Sequence, residues 1–503
     1  MKPRCVQIIY DGKSLTVNSG EPLSLSLHRE TPCGGHGKCG KCKAKVTGEV
    51  SPLTDAERTH LTKEEIANGI RLLCHTYPFG AVVVTSLSES TPLGVLTDGK
   101  ANIRPHAPMF SRYGIALDMG TTTLAGRLYD RKGNLLASAG TRNPQTVYGA
   151  DIISRIEHAK ADKTALSCAI RQGISTLIGT LTEKADISPS EVDVLVLCGN
   201  TTMQYLLTET DTEPLSHAPF SLTRPFGEWL TAEELSLSLL SEKTRVYLSP
   251  VISAFVGSDT VCAVLATELI DRQSPALLVD IGTNGEIALW DGELLRVTST
   301  SAGPAFEGVG ITAGMRGEDG AIDRIKIEGD KFICHTVGSL DAQGICGSGL
   351  IDAVGCLLNL GLLDESGYLE EGEIELAPSV LLTQKDIRQL QLAKSAIFAG
   401  MSTLLREATL SEKDLKRFLL CGAFGTYLDP KNATRIGLFP SEWEALSTTT
   451  GNSALDGASL LLLNRSAFAL AEDLCGRAYV VDLATNPVFS ELFMSGMLFP
   501  EQE

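Results

Sequence analysis

Two segments of the chain follow the same plan, and this repetition limits the architectures open to it. "YGIALDMGTTTLAGRLYD" (113–130) and "ALLVDIGTNGEIALWDG" (276–292) each read as a buried strand, a turn and a second strand. The turns at 118–123 and 280–285 share the pattern Asp-x-Gly-Thr and lie about 160 residues apart. One such turn alone would be an ordinary hairpin with polar residues. Two copies in this order indicate an internal repeat, and hence two similar lobes.

Each turn combines residue types that suit a phosphate group and a divalent cation. A carboxylate that ends a strand, Asp118 or Asp280, can hold Mg²⁺ through water. Glycine lets the backbone approach a phosphate, and the N–H and hydroxyl groups that follow supply donors. Neither turn has the Gly-Lys-Ser/Thr of a Walker A loop. We therefore predict two phosphate loops, formed by Gly120, Thr121, Thr122 and Thr123 and by Gly282, Thr283, Asn284 and Gly285.

Other glycine-rich segments suit the remaining parts of a nucleotide. "RFLLCGAFGTYLDP" (417–430) reads as an apolar strand that enters a turn, against which an adenosine can lie. "ICGSGLIDAVGCLL" (345–358) is a glycine turn that opens a helix; its N-terminus suits an anion, or it merely starts the helix. The small-residue helices around 257–266 and 454–463 are suited to close packing across a cleft.

The N-terminal part contains a dense cysteine loop, "TPCGGHGKCGKC" (31–42). Cys33, Cys39, Cys42 and Cys74 have the spacing C-x5-C-x2-C-x31-C. Zinc ribbons favour two CxxC pairs, and only one is present here. Three thiolates on a tight loop with a distant fourth are typical of a [2Fe-2S] site, and the glycines of the loop permit the turns that wrap a compact cluster. We therefore predict a [2Fe-2S] cluster, with zinc as the alternative.

The segments around the cysteine loop predict a small sheet domain. Residues 6–20 read as a hairpin with an Asp-Gly turn, and 21–30 as a short helix. Residues 42–50 alternate as a strand does, and Cys74 comes just before a final strand. Residues 4–88 resemble the [2Fe-2S] ferredoxin domain, which implies a β-grasp fold. The first gap of five residues matches vertebrate-type rather than plant-type ferredoxins.

A boundary follows this domain. Residues 89–112 contain prolines and little periodicity, so we expect a linker that lets the cluster domain swing. The predicted units are the cluster domain (1–88), the linker (89–112), a first lobe (113–270) and a second lobe (271–503). Residues 220–235 interrupt the first lobe with prolines, aromatic residues and an expected acidic helix, which either contacts a partner or forms a surface subdomain.

Charge and hydropathy exclude several classes of partner. The formal net charge of −18 argues against nucleic acid as a partner. No apolar run approaches the roughly 18 residues that a membrane helix needs, and the first residues lack the apolar stretch of a signal peptide. Thirteen cysteines without a secretory signal argue against a disulfide framework. We therefore expect a cytoplasmic protein that binds neither nucleic acid nor a membrane.

The two phosphate loops, the turn at 422–425 and the two small-residue helices resemble the actin–Hsp70–sugar-kinase (ASKHA) ATPase superfamily over residues 113–500. The resemblance implies a multidomain chain of the α+β and α/β classes, in which a two-lobed, ribonuclease-H-like ATPase follows the β-grasp domain and closes over MgATP. It implies that Asp118 and Asp280 hold hydrated Mg²⁺, or that one of them orients the attacking water.

Further site residues follow from the same resemblance. Gly422, Ala423 and Phe424 are expected to face the adenosine. Asp259 is a candidate for positioning the water, against an N-cap role. Gly347 and Ser348 are candidates for nucleotide contact.

The order of ferredoxin domain, linker and ATPase, together with "SAGPAFEGVGITAGMRG" (301–317) and "ICGSGLIDA" (345–353), is similar to the reductive activators of corrinoid proteins. The resemblance implies that ATP drives reduction of a Co(II) corrinoid protein to Co(I) in a methyl-transfer system. It also implies a low-potential electron donor and a homodimer. Because the first phosphate loop follows the linker within a few residues, we expect the family's middle segment to be missing or much reduced.

Three other functions stay open on the sequence. A redox-sensing small-molecule kinase predicts a hydroxyl-binding pocket and a phosphorylated product. An ATP-driven electron donor to another low-potential enzyme, such as a dehydratase, predicts a different acceptor. A nucleotide-gated electron-transfer scaffold without turnover predicts no ATPase activity.

Overall fold

The computed structural model describes residues 5–31, 33–87, 95–270, 273–329 and 331–501. Its N-terminal domain is a five-stranded sheet in the order β2-β1-β5-β3-β4. The elements are β1 (Cys5–Tyr10), β2 (Lys13–Asn18), α1 (Leu23–Ser26), β3 (Lys43–Val50), α2 (Asp55–His60), α3 (Lys63–Ala67), β4 (Ile70–Leu72) and β5 (Pro78–Ser86). Asp11 and Gly12 turn the first hairpin with φ of 46° and 81°, the geometry that two-residue hairpins prefer. The predicted β-grasp architecture is confirmed.

The first lobe is built on a six-stranded sheet in the order β10-β11-β9-β6-β7-β8. Its elements are β6 (Tyr113–Met119), β7 (Thr123–Asp130), β8 (Leu135–Arg142), α4 (Ile152–Lys184), β9 (Val192–Gly199), α5 (Thr201–Leu207), β10 (Glu228–Thr231), β11 (Arg245–Leu248) and α6 (Ser258–Ala266). The central strands β6 and β9 are almost wholly buried, because helices cover both faces of the sheet. Helix α4 kinks at Asp162, whose Oδ1 accepts a hydrogen bond from the Ala165 N–H at 2.9 Å and so caps the second half.

The second lobe repeats this plan in the order β21-β20-β12-β13-β14-β22. The elements of its main sheet are β12 (Ala276–Ile281), β13 (Gly285–Trp290), β14 (Leu295–Thr300), β20 (Arg417–Cys421), β21 (Ser447–Gly451) and β22 (Tyr479–Val480). In both lobes the first three strands are antiparallel, and the first strand also pairs in parallel with a later one, β9 or β20. The predicted internal repeat and the two-lobed ribonuclease-H-like architecture are therefore confirmed.

Helices and two small sheets complete the second lobe. They are β15 (Ala321–Glu328), β16 (Lys331–Thr336), β17 (Gly344–Ile345), α7 (Gly347–Asn359), β18 (Glu373–Ala377), β19 (Val380–Thr383), α8 (Gln384–Glu407), α9 (Gly422–Tyr427), α10 (Pro430–Arg435), α11 (Ser453–Leu463), α12 (Ala467–Arg477) and α13 (Pro487–Ser495). Helices α6 and α11 pack at close range, since a Cβ on Gly457 would lie 2.1 Å from the carbonyl oxygen of Cys262. This is the close packing of small-residue helices that the sequence predicts.

The segment 220–235 contains no acidic helix, so that expectation is wrong. Its described backbone forms the edge strand β10, which pairs antiparallel with β11. The Trp229 ring packs against Tyr247 and Phe468, with ring centroids 5.0 and 5.5 Å away. Arg245 lies over the same ring at 4.0 Å. These contacts outweigh the local helical preference of the acidic residues that follow.

Residues 95–112 do not form a free tether. The Thr97 carbonyl oxygen accepts hydrogen bonds from Arg127 Nε (3.0 Å) and Nη2 (2.6 Å), and the Met109 N–H donates to the Leu462 carbonyl at 3.1 Å. The segment is therefore fixed along α11 and the first lobe. Residues 89–94 of the predicted linker lie outside the described residues. Across the ranges given above, no helix is long and apolar enough to cross a membrane.

Candidate functional site

Both predicted phosphate loops are hairpin turns at the same end of their sheets. The first joins β6 to β7, and the second joins β12 to β13. In the second loop the Gly282 N–H donates to the Asn284 carbonyl at 2.9 Å, which closes the turn. In the first loop a Cβ on Gly120 would lie 2.7 Å from the Thr123 carbonyl oxygen, so the turn leaves no room for a side chain there.

Three side chains that the sequence analysis missed brace the first loop. Asn143 Nδ2 donates to the Gly120 carbonyl at 2.8 Å, and Arg155 Nη2 donates to the Thr121 carbonyl at 2.5 Å. Asn200 Nδ2 donates to Thr121 Oγ1 at 3.0 Å. Arg155 is fully buried, and this burial lowers its pKa to about 9. No spacing rule connects these positions, because they approach the loop from α4 and from two separate turns.

A single carboxylate joins the two loops. Glu307 Oε2 accepts a hydrogen bond from the Thr122 hydroxyl at 3.3 Å, and its Oε1 accepts one from the Thr283 hydroxyl. Glu307 ends a short turn whose flanking residues, Gly303 and Gly308, both have a φ of 76°. Two hydroxyl groups expected to contact phosphate therefore share one acidic acceptor from the second lobe.

Four carboxyl groups meet between the lobes: Asp118, Asp259, Asp280 and Glu286. Burial raises the pKa of Asp118 and of Asp280 to about 7 each, and repulsion from Asp259 adds to both shifts. Burial raises the pKa of Asp259 to about 6. The pKa of Glu286, which sequence reasoning did not single out, is raised well above its usual range by burial and then by Asp259 and Asp280.

Among the described residues, no group of three or more histidine, cysteine, aspartate or glutamate side chains is arranged to hold a metal ion, so the acid cluster offers acidic oxygens to a cation but not a complete coordination shell. The cluster's donors are carboxylate oxygens, the ligands that Mg²⁺ prefers, and their pKa values are raised first by burial and then, for Asp118, Asp280 and Glu286, by neighbouring carboxylates. Asp118 Oδ2 also accepts a hydrogen bond from Asn452 Nδ2 at 3.2 Å, which orients it. Asp259 is not an N-cap: the N-cap of α6 is Gly257, and Asp259 Oδ1 accepts the Thr260 N–H at 2.7 Å inside the first turn.

The expected adenosine segment lies beside the acid cluster. Gly422 opens α9 with a φ of +74°, and a Cβ there would lie 2.4 Å from Asp280 Oδ1. Ala423 is exposed, and the ring of Phe424 packs on Phe306 with centroids 4.7 Å apart. The glycine turn therefore allows a close approach of backbone to carboxylate.

Gly347 and Ser348 begin α7 behind this segment. A Cβ on Gly347 would lie 2.1 Å from the Phe306 carbonyl oxygen and 2.9 Å from the Phe424 ring. The Ser348 hydroxyl is buried and donates to the Asp323 carbonyl at 3.0 Å. These contacts favour the alternative in which the two residues start the helix and support Phe424.

The four predicted cluster cysteines are brought together as two pairs. Cys42 Sγ lies 3.1 Å from Cys74 Sγ, and Cys33 is hydrogen-bonded to Cys39. This hydrogen bond, and after it the N–H groups of Lys38, Cys39 and Gly37, lowers the pKa of the Cys33 thiol to about 4. Two pairs of sulfurs with inward-pointing N–H groups fit two irons with two thiolates each.

The fold of the cysteine loop requires a glycine at position 37. Gly37 has a φ of +67°, and a Cβ there would lie 2.4 Å from Nε2 of His75. That His75 atom is buried without a hydrogen-bond partner among the described residues. The loop can therefore fold over Cys74 and His75 only without a side chain at position 37.

The N-terminal domain is docked on the two lobes by ion pairs. The Glu30 carboxylate forms ion pairs with Arg316 Nη1 at 2.9 Å and with Arg142 Nη1 at 2.8 Å. Arg142 Nη2 also forms an ion pair with Glu318 at 2.6 Å. The Thr31 hydroxyl donates to the Val147 carbonyl at 2.6 Å. A cavity of about 650 Å³ lies between the domain and the lobes, and Cys42, Arg316 and Glu307 all line it.

Comparison with known proteins matches three successive parts of the chain. Residues 8–79 match the 2Fe-2S iron-sulfur cluster binding domain, residues 113–272 the RACo middle region, and residues 274–503 the C-terminal domain of RACo, the ASKHA domain. The chain therefore has an iron–sulfur domain followed by an ASKHA ATPase. The expectation of a missing or much reduced middle segment is wrong, because the middle region contains β6 and the first phosphate loop.

Relatives that match 70% or more of the chain agree with this division. The corrinoid activation enzyme RamQ of Eubacterium limosum is 34% identical over 419 residues, which are 77% of this chain and 70% of that protein. The [Co(II) methylated amine-specific corrinoid protein] reductase of Methanosarcina barkeri is 28% identical over 384 residues, 70% of each chain. A solved reductive activator for corrinoid,iron-sulfur protein superposes with a TM-score of 0.70 at 28% identity and covers 98% of both chains. The chain therefore belongs to the family of reductive activators of corrinoid proteins.

Proposed function

We propose that this protein uses ATP to reduce the Co(II) corrinoid of a partner protein to Co(I) in a methyl-transfer system. The observation that carries the proposal is the docking of a four-cysteine site against an acidic two-lobed cleft within one chain. The names of the two relatives, a corrinoid activation enzyme and a Co(II) corrinoid protein reductase, supply the substrate class.

In this proposal Cys33, Cys39, Cys42 and Cys74 hold the cluster. Held there, a [2Fe-2S] cluster supplies one-electron transfer at low potential. The N–H groups that point at Cys33 stabilise the thiolate form that a metal ligand requires. The absence of a side chain at position 37 lets the loop pack against the His75 ring, next to Cys74, which is buried.

The cleft residues are proposed to bind MgATP, which supplies the free energy of its hydrolysis. Asp118 and Asp280 hold hydrated Mg²⁺, or one of them orients the attacking water, and Asp259 helps to position it. Thr121, Thr122, Thr283 and Asn284 donate to the phosphates, while Gly422, Ala423 and Phe424 face the adenosine. Asn143, Arg155 and Asn200 keep the first loop in its hairpin geometry.

The energetics explain why both parts are needed. Plant-type [2Fe-2S] clusters have potentials of about −400 mV, and the family resemblance implies a corrinoid couple that is lower still. Each 100 mV uphill costs about 2.3 kcal/mol per electron. A cleft with an open and a closed state can favour a complex in which cobalt is more easily reduced, and then release it.

The partners complete the proposal. We infer a corrinoid protein as the acceptor, a low-potential reductant as the donor, a homodimer as the working assembly, and the cytoplasm as the location. Sedimentation analysis of the anaerobic protein with and without the corrinoid partner tests the assembly.

The decisive experiment measures anaerobic Co(II)-to-Co(I) conversion. Cluster-loaded protein, a low-potential chemical donor and a candidate corrinoid protein are mixed with and without MgATP. A Co(I) absorption spectrum that forms only with ATP supports the proposal. No effect of ATP across several corrinoid proteins contradicts it, and a phosphorylated small-molecule product would instead support a redox-sensing kinase.

A further inference from the structure

We propose that Glu307 links occupation of the nucleotide cleft to release of the ferredoxin-like domain from the two lobes. This inference rests on the proposed binding of nucleotide in the cleft and goes beyond it, because it concerns the position of the cluster domain. Three structural relations carry it: the bridge between the phosphate loops, the cavity beside it and the ion pairs that hold the domain.

The first relation is competition for the same donors. The Thr122 and Thr283 hydroxyls, one from each lobe, both donate to the Glu307 carboxylate. Phosphate oxygens bound by the two loops need these hydroxyl groups as well. Two anions cannot share them without strong repulsion at such short range. Nucleotide therefore displaces the Glu307 side chain.

The second relation is the space into which the carboxylate can move. Glu307 lines the cavity of about 650 Å³, and the turn that carries it is flanked by Gly303 and Gly308. Arg316 lines the same cavity, and the charge of Glu307 already acts on its guanidinium group. Arg316 is therefore a cation of the same cavity beside which the displaced carboxylate can settle.

The third relation is the partner that Arg316 already has. Its Nη1 lies 2.9 Å from both carboxylate oxygens of Glu30, three residues before the first cluster cysteine. A second carboxylate beside Arg316 weakens this charge-assisted pair. The remaining link from Arg142 to Glu30 is shared with Glu318. Nucleotide binding thus loosens the ion pairs that dock the domain.

The test measures hydrogen–deuterium exchange in the anaerobic, cluster-loaded full chain with and without Mg²⁺ and a non-hydrolysable ATP analogue. The peptides of interest cover 29–36 and 142–149, where the Thr31 hydroxyl donates to Val147. In the wild type we expect the bound analogue to raise exchange in these peptides at least threefold. Calorimetry on the same samples gives the affinity for the analogue.

Three variants test whether Glu307 couples nucleotide binding to release of the domain or only supports the fold. Glu307→Gln keeps the shape but loses the charge, so it should bind the analogue about tenfold more tightly and show no nucleotide-dependent rise in exchange. The control Glu293→Gln, an exposed carboxyl group that takes no part in the docking ion pairs, should respond as the wild type does. Arg316→Gln should give high exchange with or without the analogue.

Equal nucleotide-dependent exchange in Glu307→Gln and the wild type would overturn the inference, as would analogue binding to the wild type without any rise in exchange. Failure of the wild type to bind the analogue would overturn the proposed function together with it. A protein that shows the coupling but reduces no corrinoid would refute only the proposed function.

Discussion

At the scale of single residues, the charged carboxyl groups between the lobes lower the stability, first because they are buried and then because they repel one another. Asp280→Asn removes one of these charges, so the cation-free chain should become more stable by about 1–2 kcal/mol at pH 8. The same change should weaken the binding of MgATP by about 100-fold, since a proposed cation ligand is lost. Thermal unfolding in EDTA and calorimetric titration measure the two effects.

The control for this change is Glu293→Gln, an exposed carboxyl group at the turn after β13. It should alter neither the stability nor the affinity measurably. An Asp280→Asn protein that is less stable than the wild type and binds MgATP equally well would contradict a cation site at the acid cluster.

A second residue, Lys394, gives the stability a defined dependence on pH. Its Nζ is buried and donates to the Gly496 and Leu498 carbonyls at 2.6 and 2.7 Å, and burial lowers its pKa to about 7. An unfolded lysine has a pKa of about 10.4, so the unfolded chain binds more protons than the folded chain between about pH 7 and 10. The contribution of Lys394 to stability therefore rises with pH in this window.

Lys394→Met should remove that contribution. From pH 7 to pH 9.5, the free energy of unfolding of the wild type should gain about 2–3 kcal/mol relative to the variant. Urea unfolding of both proteins at the two pH values measures this difference. Lys385→Met, an exposed lysine on the same helix, is the control. If the free energy of unfolding changed with pH equally in the wild type and in Lys394→Met, burial would not lower the pKa of Lys394.

At the scale of elements, the packing of α6 on α11 depends on one glycine. A Cβ on Gly457 would lie 2.1 Å from the Cys262 carbonyl oxygen, and backbone cannot yield as a flexible side chain does. Gly457→Ala should therefore lower the free energy of unfolding by about 2–3 kcal/mol. The control is Gly476→Ala in α12, where an added Cβ would meet no atom within 4 Å, so this change should be neutral or slightly stabilising. Equal stabilities of the two variants would disprove the close approach.

Elements with a strong local signature could be predicted, and those held by distant contacts could not. The two phosphate loops carry their carboxylate, glycine and threonine within four residues, so the sequence indicates both of them. Strand β10 depends on the packing of its own Trp229 against Tyr247 and Phe468, and the docking of 95–112 depends on Arg127. These partners approach from elsewhere in the fold. Local composition therefore suggested a helix and a free linker at places where tertiary contacts decide otherwise.

At the scale of the whole molecule, the order of the domains followed from motifs, but their relative position did not. The spacing of the cysteines and the repeated turns identify each domain separately. The docking depends on pairs such as Glu30 with Arg316, whose members share no motif and lie far apart in the sequence. The Glu307 bridge between the lobes is of the same kind, because it forms only when both loops are in place.

Because the cluster site and the nucleotide cleft use separate side chains, one can be removed without the other. Cys42→Ser breaks one of the two sulfur pairs, so the protein should lose the visible absorption of its cluster and all ATP-dependent corrinoid reduction. Its affinity for MgATP should stay within about twofold, since Cys42 contacts neither phosphate loop. The exposed Cys168→Ser serves as the matched control and should keep both activities. If Cys42→Ser still reduced corrinoid in the presence of ATP, electrons would have to reach cobalt by another route, and the domain order of this chain would need a different explanation.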